Sequence, residues 1–196
     1  MKIKSFKNKY DKKVKKNFWH KKGDLSWIIK IIIISFIISF GFSLTTEIVI
    51  PHLGVYASFV VVLAFIFIGI LFDMIGIAVT VADKKTFNSM ATKKVKGSKA
   101  CLALIKNASK VSSFCNDVIG DICGILSGSA GAGIAISLAN TYNYSLLLTT
   151  LLMTSIISAL TIGGKALGKS YAMNKSNQIL FRFAKTIMFF YKKIDR

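Results

Sequence analysis

No Lys or Arg occurs between Lys30 and Lys84, and none between Lys110 and Lys165. Each gap is long enough for two crossings of a hydrocarbon core, since roughly 20 apolar residues span its ~30 Å. A soluble domain disperses its charges over one folded surface. This chain separates them, although it carries 27 Lys+Arg against 8 Asp+Glu and a net charge of +19. That segregation argues against a soluble nucleic-acid-binding domain, whose cations must gather on one folded face. No nucleic-acid partner is expected. With 53% hydrophobic residues in 196, the chain reads as an all-α membrane protein with four transmembrane helices.

The expected spans are 27–50, 56–81, 111–139 and 145–164. They form a single transmembrane domain, 26–196, behind a basic tail, 1–25, which holds Trp19. That tail is too long and too charged for the start of a signal peptide, and no A-x-A-like site follows the apolar run. Lys30 lies one turn inside the first span, where its stem can snorkel. Pro51-His52-Leu53-Gly54 and Asn140–Asn143 make uncharged turns. Residues 84–110 and 170–194 read as amphipathic surface helices. The first region has a stripe at Phe87, Met90, Ala91 and Val95, a break at Gly97, and a second stripe at Leu102, Ile105 and Ala108. The last helix repeats Ile179, Phe183, Ile187, Phe190 and Ile194.

Orientation follows from charge. Apart from Lys30, which lies one turn inside the first span, the tail, residues 83–110 and residues 165–196 hold every Lys and Arg, and the two turns hold none. The positive-inside rule then places both termini, and the surface helices, on the cytoplasmic face of the plasma (inner) membrane. Attraction of those lysines to anionic lipids accounts for them without a further partner. All basic residues but Arg182 and Arg196 are Lys, a bias that also matches AT-rich coding.

Acids inside a bilayer cost roughly 2.5–3.5 kcal/mol on insertion scales and so need a partner or a task. Asp73 lies in the second span, Asp117 and Asp121 in the third. Four residues apart, Asp117 and Asp121 share a helical face and repel. A cation, a proton or a basic side chain from another helix would relieve them. With Asn116 they form a candidate site for a hard, partly hydrated cation, since every donor is oxygen. Alternatively, Asp117 sits beside Lys110 at the interface and Asp121 alone is buried. Gly120, Gly124 and Gly128 recur every four residues, a small-residue face for close helix packing within one subunit or between two. Cys101, Cys115 and Cys123 show no paired spacing and read as reduced apolar fillers. His20 and His52 are isolated. No P-loop, GxGxxG or Ser-His-Asp arrangement is present, so no enzyme and no cofactor are expected beyond Mg²⁺ as an ion moved or sensed.

From Asp73 onward the chain resembles the transmembrane domain of the CNNM and CorC-type magnesium transport proteins. Ala78-Val79-Thr80-Val81-Ala82 stands where that family has S-E-T-A. Val118-Ile119-Gly120-Asp121 is similar to its L-I-G-N. Gly164-Lys165-Ala166-Leu167-Gly168-Lys169 is similar to its G-E-x-L-P-K, with Asn174 following. The resemblance covers about residues 70–190 and implies a divalent-cation transport fold, a homodimer, and a form without the CBS-domain pair of longer relatives. Three positions depart from it: 78–82 hold no acid, Asp121 replaces Asn, and Lys165 replaces the Glu that helps form the ion path. Lys165 is thus a candidate charge plug, either snorkelling outward or turned inward toward Asp121. Two functions stay open: divalent-cation (Mg²⁺) transport or sensing, and a non-transporting membrane interaction protein that keeps the fold but has lost the ion path. Lipid-headgroup recognition by the basic helices is a third.

Overall fold

A computed structural model describes residues 22–190. Most of the expected tail, with Trp19 and His20, and Ile194 of the last stripe lie outside those residues. Every regular element among the described residues is helical. Helix α1 is Lys22–Val49 and α2 Val55–Val81. Short helices α3 (Lys84–Thr92), α4 (Ser98–Lys106) and α5 (Ala108–Ser113) follow. A π-helical stretch, Phe114–Gly120, leads into α6, Asp121–Tyr142. Helices α7 (Leu146–Asn174) and α8 (Ser176–Phe190) close the described chain. Four helical stretches are long and apolar enough to cross a membrane: Leu25–Val49, Val55–Val81, Ala108–Tyr142 and Leu146–Asn174. The chain divides into two compact units between Ile38 and Ser39, inside α1.

Within the second unit α2, α6 and α7 bury Val62, Ile66, Ala130, Ile134, Ala135, Met153 and Ile157. Small residues let these helices approach. Gly131 leaves room for Ile157, and Gly164 and Gly168 lie against Ile70 and Met74 of α2. The helix that carries the fourth span continues past 164 to Asn174, and the last helix begins at Ser176. Glycine costs about 1 kcal/mol against Ala in a helix interior. Gly164 and Gly168 offset this by admitting Ile70 and Met74, and in lipid the freed backbone groups would have no water to bond.

One departure from the sequence reading concerns the amphipathic stripes. Gly97, at φ 97°, breaks the 84–110 region as expected, and Lys94 beside it also has positive φ. However, Phe87, Ala100 and Cys101 do not turn to lipid. They form one core with Val79 of α2 and Leu180 and Ala184 of α8. Val95 stays exposed. In α8 the fully buried residues are Leu180 and Ala184, one position beyond Ile179 and Phe183, which are half-buried with Ile187. Leu180 and Ala184 are covered by α4 and the end of α2, a partner the stripe alone could not reveal.

Candidate functional site

Three polar residues reach the basic end of the bundle at matching depth. Asp73 lies 18 residues beyond Val55, Lys165 19 beyond Leu146, and Asp121 21 before Tyr142. At 1.5 Å per residue those depths are roughly 27–32 Å from the uncharged turns, the far edge of a hydrocarbon core about 30 Å thick. Helices α2 and α7 start from those turns and α6 ends at them, so equal counts bring the three side chains to one level. This counting is possible from sequence alone and would have found the cluster.

Lys165 Nζ lies 3.4 Å from Asp121 Oδ1 and 3.6 Å from Asp73 Oδ2. No other ion pair occurs among the described residues. Of the two orientations the sequence left open, the structure has the ammonium turned inward. Side-chain exposure is 25% for Lys165, 18% for Asp73 and 65% for Asp121. Asp73, not Asp121, is therefore the more enclosed acid and the one that most needs the lysine. Two carboxylates against one ammonium leave a formal excess of one negative charge.

Close packing holds the acid in place. A Cβ at Gly120 would lie 2.7 Å from Asp73 Oδ1, and one at Gly69 would lie 3.2 Å from Cys123 Cβ. One turn on, Gly76 makes room for the amide of Asn116, with which any Cβ would collide. The π-helical stretch carries Asn116 into α2, a geometry often found at functional sites. Asn116 Oδ1 is buried and has no hydrogen-bond partner. Leaving a buried acceptor unmet costs about 1–3 kcal/mol. The adjacent Asp117 is turned outward, exposed, and enters no ion pair among the described residues. No three His, Cys, Asp or Glu side chains among the described residues converge as a metal group. Asp73 and Asp121 come together, Asn116 stands beside them, and Asp117 does not join them. Gly124 and Gly128 differ from Gly120: nothing lies within 4 Å of a Cβ at either, so neither is a close-packing contact within one chain.

Just outside the spans, Asp83 caps α3. Its carboxylate accepts from Thr86 Oγ1 at 2.8 Å, Lys85 N at 2.9 Å and Thr86 N at 3.3 Å. The Thr86 hydroxyl, then the Lys85 amide, hold its pKa below the ordinary value. Asp83 N donates to Asn177 Oδ1 at 2.9 Å, tying the end of α2 to α8; the sequence carried no sign of that bond. All three cysteines are free and buried. Burial pushes the Cys101 thiol up to about 11, so it stays protonated and inert.

Four apolar crossing helices, three of them packed through glycines, define a multi-pass membrane protein. The chain belongs to the CNNM family: the model of the Cyclin M transmembrane N-terminal domain matches residues 59–194. It is thus a membrane protein related to the divalent-cation transport family. Helix α1 precedes the matched region. No curated protein and no solved structure gives a match.

Proposed function

We propose that this chain keeps the CNNM membrane fold while holding its own ammonium where a divalent ion would stand. The observation behind this reading is Lys165 Nζ between Asp121 Oδ1 and Asp73 Oδ2, at 3.4 and 3.6 Å. A lysine there differs from the Glu of the family pattern by two charges. It balances a carboxylate without metal and fills the space between the acids. In this state the protein conducts no Mg²⁺ and acts as a membrane interaction protein, as a homodimer with both termini cytoplasmic. A second reading is favoured by the lone Asn116 Oδ1 and by the partial exposure of Lys165. The lysine swings out, Mg²⁺ enters among oxygen donors with part of its water shell, and the chain transports or senses the ion. Mg²⁺ flux in proteoliposomes separates the two. The first reading expects no flux from wild type and a gain in Lys165→Glu. Flux from wild type that is lost in Asp121→Ala would establish the second instead.

A further inference from the structure

We propose that the cavity between α3 and α4 is a binding site for a phosphate group. It measures about 420 Å³, and Thr92, Lys94, Lys96, Ser98 and Lys99 line it, with no acidic side chain. Lys94, Lys96 and Lys99 form no ion pair, since the ion pairs among the described residues belong to Lys165. Lys94, Lys96 and Lys99 are exposed, yet all three border one concavity within six residues, and an anion inside would relieve their repulsion.

The wall of the cavity is fixed. Lys94 N donates to Ala91 O at 3.0 Å, Val95 N to Met90 O at 3.0 Å, and Ser98 N to Val95 O at 3.2 Å. Behind them Gly97 backs onto Phe181, Met188 and Lys185 of α8, all within 3.5–3.7 Å of where its Cβ would be. The hydroxyls of Thr92 and Ser98 are already committed as donors to Ser89 O and Val95 O. The lysines have free ammonium donors, and they suit a compact polyanion that needs point charges rather than a planar fork. A phosphomonoester, at about −1.5 to −2, matches three ammonium groups better than a single carboxylate does. The cavity exceeds one phosphate and leaves room for the group that carries it. It lies at the basic end of the spans, where a lipid phosphate or a soluble one can enter.

The test uses the full chain in a zwitterionic detergent, with thermal unfolding read against added ligand. The probes are dioctanoyl phosphatidate, dioctanoyl phosphatidylcholine and inorganic phosphate. Wild type should be stabilised by phosphatidate and not by phosphatidylcholine. The triple variant Lys94→Gln/Lys96→Gln/Lys99→Gln should lose on the order of 100-fold in affinity, from about 1 kcal/mol per lysine. A control with equal charge removed, Lys84→Gln/Lys85→Gln/Lys106→Gln, should bind like wild type. Should the triple variant not fold, Lys96→Gln alone is read the same way, with a loss of roughly fivefold. Stabilisation by inorganic phosphate equal to that by phosphatidate would make the source soluble and leave the site intact. An equal loss in variant and control, or no stabilisation of wild type by either phosphate, would overturn the proposal.

Discussion

The bundle of α2, α6 and α7 and the basic-end group of α3, α4 and α8 both bury apolar residues, but they choose them differently. In the basic-end group each helix is one-sided. Phe87, Cys101, Leu180 and Ala184 are buried, while Lys84, Lys85, Lys99, Arg182 and Lys185 are exposed. In the bundle, neighbours of the same chemistry face opposite ways. Val62, Ile66, Met153 and Ile157 are buried, whereas Leu63, Phe67, Leu152 and Ile156 are exposed. Water makes the first pattern, because it rejects one face of each helix. Lipid tails are as apolar as the bundle interior, so in the second region the packing face is set by shape: glycine opposite a larger side chain.

If that contrast is right, the largest effect comes from emptying the water-driven core. Phe87→Ala should cost about 3–5 kcal/mol in thermal or denaturant unfolding. A loss under 1 kcal/mol would mean that α3 is held by the membrane and not by α8. In the bundle the sensitive change is addition. Gly76→Ala drives a methyl into the Asn116 amide and should cost about 1–3 kcal/mol. Asn116→Ala should relieve it, and no relief would place the strain elsewhere. A smaller effect is expected at Asp83. Its folded pKa is depressed, so its capping contribution is complete above pH 3.8 and fades as pH falls through the folded value. Amide exchange in the first turn of α3 should quicken below that pH in wild type and show no such step in Asp83→Asn. The smallest effects are expected at Gly124→Ala and Gly128→Ala, which meet open space and should leave the unfolding of one chain within about 0.5 kcal/mol.

The same contrast explains what could be read in the sequence. Span number and order were legible because lysine-free runs and uncharged turns are one-dimensional signals. The break at Gly97 was legible because two stripes needed a change of direction. What covers those stripes was not: Phe87 against Leu180 joins helices about 90 residues apart, and an apolar stripe looks alike whether lipid or protein covers it. In the bundle, the four-residue spacing of Gly120, Gly124 and Gly128 suggested one packing face. Only Gly120 packs, because what decides is the residue opposite, Asp73. The acids were legible as anomalies in apolar spans. Their pairing with Lys165 required depth as well as identity, and the π-helical stretch that carries Asn116 and Asp117 leaves no mark in the sequence.

The central claim is that Lys165 neutralises the enclosed Asp73 more than the exposed Asp121. A double-mutant cycle on unfolding, with Mg²⁺ absent and then present, measures this directly. The expected result is a loss of roughly 1–3 kcal/mol in Lys165→Ala, below the full cost of breaking a buried pair because Lys165 is partly exposed. Asp73→Asn should recover most of that loss and Asp121→Asn little of it, and Mg²⁺ should stabilise Lys165→Ala but not wild type. A neutral Lys165→Ala, together with wild type already stabilised by Mg²⁺, would contradict the account.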